Sequence, residues 1–275
     1  MLNWITRYAP VAALVLDNAG QLDGSLLDVG SGSVGFACVG GPEPFVGVDI
    51  DFWGPPAPSM LAIRSRPGRL PFVDAAFDTV ISLDALEHVP SGERAGFVAE
   101  IGRVAARRAI VACPCDDAAA LDEMLRRMYQ RRGESEPDWL SEHAEHGLPT
   151  RRAVADACGS IEGFRSTELP MPNGLLSLLA VIADTDPEVA PLAAAEAARR
   201  PRMWSDLFNA SADSASFRVG WVLERERPVQ GRVRPERLAE TTLGALRCPT
   251  CGACEPTPAR DPLGALDLTH AWSCA

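Results

Sequence analysis

Several residues of this 275-residue chain are of a type and spacing that could do chemistry. Asp28 sits in an apolar run, and Gly30, Ser31, Gly32 and Gly35 form a glycine-rich turn directly after it. Glycines there let the backbone turn sharply and approach a ligand with no Cβ in the way. A helix opening near Ser33 would aim unpaired N–H groups at a phosphate or carboxylate. Asp49 closes the next apolar run, where an acid can accept hydrogen bonds from sugar hydroxyls. Glu87-His88 follows a third apolar run; His88 reads either as a proton acceptor or as a histidine that holds its loop. His143 and His146 make a spaced pair, weak as a metal site without further ligands. Cys248-Pro249-Thr250-Cys251-Gly252 has the form of a metal-binding knuckle, with Cys254, Cys274 or His270 available to complete a tetrahedral set.

These residues need a scaffold, and the hydrophobic pattern supplies one. Residues 25–29, 45–50, 60–63, 77–83 and 109–113 read as apolar strands, separated by helical or turn-forming stretches. Strands alternating with helices predict a parallel sheet covered on both faces. Residues 1–18 read as a helix with Pro10 as its point of break or kink, and 90–105 as a helix with Phe97, Val98, Ile101 and Val104 on one face. Past residue 115 the alternation loosens. Helices are expected near 117–132 (stopped by Gly133), 151–158, 175–182, 189–199 and 235–246, with strands at 164–169 and 217–223. Residues 134–148 are polar and read as a lid or subunit contact, which leaves a homodimer open. The expected division is a main domain at 1–225 with covering insertions at 116–205, a linker and helix at 226–247, and a cysteine-rich tail at 248–275.

Composition narrows the functions. The formal net charge of −11 argues against a nucleic-acid partner and against an anionic membrane surface. No run approaches the roughly 18 apolar residues of a membrane span, and a cytoplasmic location is expected. The eight cysteines do not form a secreted framework. Cys38 and Cys158 read as small core residues.

Taken in order, residues 26–35, Val46-Gly47-Val48-Asp49-Ile50, Leu70-Pro71-Phe72-Val73-Asp74-Ala75-Ala76-Phe77-Asp78-Thr79-Val80 and Ser82-Leu83-Asp84-Ala85-Leu86-Glu87-His88-Val89 resemble the class I S-adenosylmethionine-dependent methyltransferases. The last two segments match a subgroup with L-P-F-x-D-x-x-F-D-x-V and L-E-H-V. The resemblance is strong over residues 22–115. It implies an α/β, Rossmann-like sheet of seven strands, the seventh antiparallel near one edge, with helical lid insertions and, here, a small zinc-ribbon-like tail. It implies S-adenosylmethionine held by Asp28, Gly30, Ser31 and Gly32 at its amino-acid end, by Asp49 and Ile50 at the ribose, by Leu70 at the adenine and by backbone near Leu83 at the methionine portion. It makes His88 the candidate catalytic residue. Cys248, Cys251, Cys254 and Cys274 are the candidate ligands of a structural zinc.

Two positions depart from the family pattern. Val34 stands where a glycine is common, and the stretch Arg64-Ser65-Arg66-Pro67-Gly68-Arg69 has no acid where one often approaches the adenine amino group. Two rivals follow. Gly30/Gly32/Gly35 with Asp49 also fits an NAD-dependent oxidoreductase, although the chain has no lysine for a Tyr-x-x-x-Lys pair. A non-catalytic scaffold is the other. On the acceptor side, Arg126, Arg127, Arg131 and Arg132 read as helix-dipole complementarity, with an anion clamp as the sharper alternative. Residues 139–149 resemble a segment of bacterial methyltransferases linked to cell-surface glycan assembly. The expected reaction is methyl transfer to an O or N of a small or glycan-like acceptor.

Overall fold

The computed structural model describes the whole chain apart from residues 18, 41–43, 66–67, 214–215, 253–255, 258, 270 and 273–275. In chain order the strands are β1 (Leu26–Val29), β2 (Phe45–Asp49), β3 (Met60–Arg64), β4 (Phe77–Leu83), β5 (Ala105–Pro114), β6 (Phe164–Leu169), β7 (Met171–Pro172), β8 (Ala212–Asp213), β9 (Arg218–Arg225), β10 (Ala259–Arg260) and β11 (Leu266–Asp267). The helices are α1 (Leu2–Val15), α2 (Arg94–Val104), α3 (Ala119–Arg132), α4 (Asp138–His146), α5 (Arg151–Gly159), α6 (Gly174–Thr185), α7 (Ala190–Arg199), α8 (Pro201–Ala210) and α9 (Leu238–Ala245).

The main sheet runs β10-β11-β3-β2-β1-β4-β5-β9-β6. Strands β1 to β5 pair in parallel, and β9 lies antiparallel between β5 and β6. The seven strands from β3 to β6 are the expected mainly parallel sheet with its late antiparallel strand. Strands β1 and β4 are buried at every residue or nearly so, as continuous apolar runs in a doubly covered sheet must be. One core lies on the face of α2 and α5, with Val98, Ile101, Val154 and Cys158. The other lies under α1, with Ile5, Tyr8, Val11, Phe36 and Phe45. Pro10 does not break α1: it is buried inside a continuous helix, against which α8 packs.

Three local expectations are corrected. The helix after the glycine turn is a five-residue 3₁₀ segment, Gly35–Val39, because Gly40 ends it in the left-handed conformation. The polar stretch 134–148 is not a loop: α4 forms there, placing Leu140 and His143 inward and leaving Ser141, Ala144 and Glu145 outside. Residues 201–210, not read as helical, form α8 with Pro201 at its first turn.

The tail is laid onto the same sheet. Gly231 N–H donates to Asp78, Arg232 and Val233 N–H groups donate to Ala76 O, and Val233 is fully buried. Leu246 bridges to Phe72, and β11 adds a parallel strand to the free edge of β3. The residues expected to be a linker are therefore packed, with the N–H groups of Val229, Gly231, Arg232 and Val233 all paired to Ala106, Asp78 or Ala76. The sheet has nine strands among the described residues, seven of the expected kind and two short ones from the tail.

Asp78 holds this junction. Its carboxylate accepts from the Ser25 N–H and hydroxyl, both at 2.9 Å, and from Gly231 N–H at 2.9 Å. Asp78→Ala strands these buried donors together and should cost about 3 kcal/mol, at 1–3 kcal/mol for each unsatisfied group. Urea unfolding should show a lower midpoint with an unchanged slope; a loss under 0.5 kcal/mol would refute the role.

Candidate active site

The strand order reverses between β1 and β4, so the loops after these strands leave in a common crevice. They touch: a Cβ on Gly30 would lie 2.6 Å from Ala85 Cβ. Gly30 (φ 80°) is required both by its left-handed backbone and by this contact. The same is true of Gly35 (φ 49°), where a Cβ would meet Asp28 Oδ2 at 2.6 Å. Val34 has φ −114°, a conformation that needs no glycine, so its departure from the family pattern is harmless to this turn.

Asp28 lies beneath the turn, fully buried. Its Oδ2 accepts from the Tyr8 hydroxyl and the Phe36 N–H, each at 2.9 Å. The amide of the short helix thus meets Asp28. Burial raises the Asp28 carboxyl from 3.8 to about 7, against the two hydrogen bonds that pull it down. Its other oxygen, Oδ1, is buried with no partner.

Asp49, at the end of β2, reaches across to the turn. Its Oδ2 accepts from Gly32 N–H at 2.7 Å and its Oδ1 from Ile50 N–H at 2.7 Å. Burial raises its carboxyl and these amides oppose the rise. Ile50 beside it is exposed, as is Trp53, while Trp4 and Trp53 rings lie against Gly32. Ser31 is buried, with its hydroxyl on Gly32 O. Leu70 and Leu83 are buried in the core, so any contact of theirs with a ligand runs through backbone. The Leu70 segment is held from behind, its N–H donating to Glu100 and its carbonyl accepting from Arg103. In the acid-free stretch before it, Arg64 bridges Asp51 to Asp261 of the tail, 3.0 Å away.

After β4 the chain turns through Asp84, a non-glycine residue at φ 50°. Arg218 of β9 grips its carboxylate with Nε and Nη2 at 2.8–3.0 Å, and Arg7 of α1 adds a third contact at 3.0 Å. Burial alone would push Asp84 up, but the two guanidiniums outweigh it and hold the carboxyl below the usual range. Glu87 and His88 follow. Glu87 is buried, its Oε2 has no partner, and burial together with Asp84 pushes its carboxyl well up. His88 Nε2 lies 3.8 Å from Glu87 Oε1, and Nδ1 lies 2.7 Å from Glu142 Oε2 of α4. Burial, with His143 close by, lowers the His88 imidazole to about 4, so it is neutral at pH 7.

The fold brings His143, and not His146, to this point. The His88 and His143 rings are 5.0 Å apart. His143 Nδ1 meets Asp122 of α3 at 2.9 Å, and its Nε2 is buried without a partner. His146 contributes its carbonyl to Arg94. The arginines of α3 are engaged locally: Arg126 with Leu140 O and Glu136, Arg127 with Glu123, Arg132 with Glu134. Sequence reasoning missed Tyr8, Arg7, Asp84 and Arg218. Only the oddity of Arg218 within an apolar strand signalled any of them.

At the far end, Cys251 N–H donates to Cys248 Sγ at 3.4 Å, the amide-to-sulfur turn expected of the knuckle. Cys254, His270 and Cys274 lie outside the described residues.

Residues 27–113, about a third of the chain, match the family model described as "Methyltransferase domain". That segment is similar to a methyltransferase domain. A search of curated proteins finds no match. Among solved structures it is similar to a putative methyltransferase from Bacillus halodurans C-125 (16% identity, 82% of this chain and 99% of that one, TM-score 0.41). It is also similar to geranyl diphosphate C-methyltransferase from Streptomyces coelicolor A3(2) (14%, 79% and 78%, TM-score 0.43) and to magnesium protoporphyrin IX methyltransferase from Synechocystis PCC 6803 (11%, 82% and 81%, TM-score 0.40). No helix of the described residues is long and apolar enough to cross a membrane.

Two outcomes follow from the buried charges. The native Asp28 carboxyl is raised, so its unfolded form gives up its proton first as pH rises from about 4. This group's stabilisation is therefore present at low pH and is lost as pH climbs to about 7. The stability of the unaltered protein minus that of Asp28→Asn should fall by about 4 kcal/mol between pH 4 and pH 8. Urea titrations of both proteins across that range check it; a flat difference would sink the assignment. Arg218→Met leaves Asp84 buried with one guanidinium fewer and should cost about 3–5 kcal/mol, read in the same assay.

Proposed function

We propose that this protein is an S-adenosylmethionine-dependent methyltransferase acting on a small-molecule or glycan-like acceptor. The observation that carries the reading is the meeting of the Asp49 carboxylate with the Gly30–Gly35 turn at the switch point, inside the segment that matches a methyltransferase domain. The methyl donor is S-adenosylmethionine. Asp49, which now accepts from Gly32 N–H, has the chemistry to take two ribose hydroxyls. Ile50, exposed beside it, offers an apolar surface for the adenine. Gly30, Ser31 and Gly32 bring backbone close to the amino-acid end, and the partnerless Oδ1 of Asp28 is an acceptor beneath it. Backbone at Leu83 faces the methionine portion.

Transfer is an in-line displacement: the acceptor's lone pair forms the new bond to the methyl carbon while the carbon–sulfur pair stays on sulfur. The protein's main contribution is to align the two reactants. His88 stands at the acceptor end as a neutral imidazole. An imidazole lowered to about 4 is a poor base, which favours a positioning part for His88. An oxygen or nitrogen acceptor is the reading. Carbon is the alternative acceptor atom; one structural neighbour is a geranyl diphosphate C-methyltransferase. The acidic net charge makes nucleic acid the poorest acceptor.

Calorimetric titration should give heat with S-adenosylhomocysteine and none with NAD. Asp49→Ala should weaken S-adenosylhomocysteine about 10- to 100-fold, two hydrogen bonds to a charged acceptor being involved. Heat with NAD alone would overturn the proposal.

A further inference from the structure

The residues of the site leave one set of groups unexplained. One nitrogen or carboxylate oxygen from each of Glu87, His88 and His143 lies within 4.8 Å of the others. Two of the three residues are buried with an atom that has no partner, Glu87 Oε2 and His143 Nε2. A buried polar atom without a partner costs about 1–3 kcal/mol, so two of them within one such cluster call for a ligand. We propose that Glu87, His88 and His143 bind a divalent first-row transition-metal ion that coordinates the oxygen of a hydroxyl acceptor. This deepens, and rests on, the methyltransferase reading of the same crevice.

The donor set suits such an ion. Two imidazoles and one carboxylate are a familiar ligand set for zinc and for non-haem iron, with positions left open for a substrate or water. The groups behind the ligands are of the kind that orient metal-binding histidines. Asp122 accepts the Nδ1 proton of His143, which leaves the Nε2 lone pair for the metal. Glu142 Oε2 also stands close to His88, 2.7 Å from its Nδ1. Asp84, three residues before Glu87, does not compete, because Arg218 and Arg7 occupy its carboxylate. The ligands come from two elements: the loop after β4, which lines the switch-point crevice, and α4, which covers it. The ion would therefore sit between the domain core and its cover, where the acceptor must enter.

The step balances without further reagents. The coordinated hydroxyl loses its proton to solvent water, since a bound divalent ion lowers the pKa of an oxygen it holds. The alkoxide pair then forms the carbon–oxygen bond as the carbon–sulfur bond breaks. The sulfonium becomes a neutral thioether and the acceptor a methyl ether. The proposal selects oxygen among the acceptor atoms.

The test uses the full-length chain, stripped with a chelator and titrated with Co²⁺ alone. One equivalent should produce visible ligand-field absorption without the near-ultraviolet thiolate band that cysteine ligation would give. Glu87→Gln and His143→Ala should each weaken binding at least tenfold, Asp122→Asn should weaken it less, and Cys251→Ser should leave it unchanged. No visible band, a band unaltered by Glu87→Gln, or a band lost with Cys251→Ser would overturn the proposal. Thermal melts establish that each variant folds; Glu87→Gln and Asp122→Asn keep the size of the side chain and serve if His143→Ala does not. S-adenosylhomocysteine titration of the same samples separates the two readings. Cofactor binding without a cobalt band refutes the metal alone, and a cobalt band without cofactor binding refutes the methyltransferase reading.

Discussion

A buried carboxylate in a left-handed turn sits at the centre of this molecule. Asp84 is the first residue past β4, and its conformation costs a non-glycine residue on the order of 1 kcal/mol or more. Three parts of the chain converge on it. Arg218 comes from the antiparallel strand β9, Arg7 comes from α1, and Asp84 itself starts the loop that carries Glu87 and His88. Arg218 also reaches Asn3 and Thr6 of α1. An ion cluster with little access to water is costly unless every member is paired. That requirement fixes where the first helix lies over the sheet, and so where the crevice walls stand.

The crevice follows from that placement. With α1 held, Tyr8 lies over Asp28 and Trp4 over the glycine turn. The turn can then approach Ala85 closely enough that only glycine fits at position 30. One wall carries Asp49 and Ile50, suited to a nucleoside. The other carries Glu87 and His88, suited to the reacting end. On the proposed reading, cofactor and acceptor are divided between the two sides of the strand-order reversal.

The tail joins this arrangement by two routes. Its backbone extends the sheet past β3 by pairing β11 with the edge, which removes an exposed row of N–H and C=O groups. Its Asp261 shares Arg64 with Asp51, two residues from Asp49. The loop before Leu70 has no acid of its own, and the chain supplies one from almost 200 residues away. The segment that reads as a linker and a cysteine-rich tail packs along the β3 edge of the sheet.

The sequence by itself determined the strands, the glycine turn and the two acids at strand ends. These are local matters: apolar runs, backbone freedom and a fixed order of short motifs. Strands β1, β4 and β6 and the antiparallel pairing of β9 were legible for that reason. The sequence also named His88 and His143, but as separate features, with His146 as the partner of His143. Only the tertiary structure decided that His143 belongs with His88 and Glu87. The polar stretch 134–148 folds as a helix whose inward face carries Leu140 and His143, and that face is chosen by packing against the loop after β4. It alone decided that Asp84 is bound by Arg7 and Arg218, since charges far apart in sequence leave no periodic trace. The tail was misread for a related cause. Its polar, proline-rich composition looks like a linker, and what holds it is backbone pairing to a sheet edge, which composition does not encode.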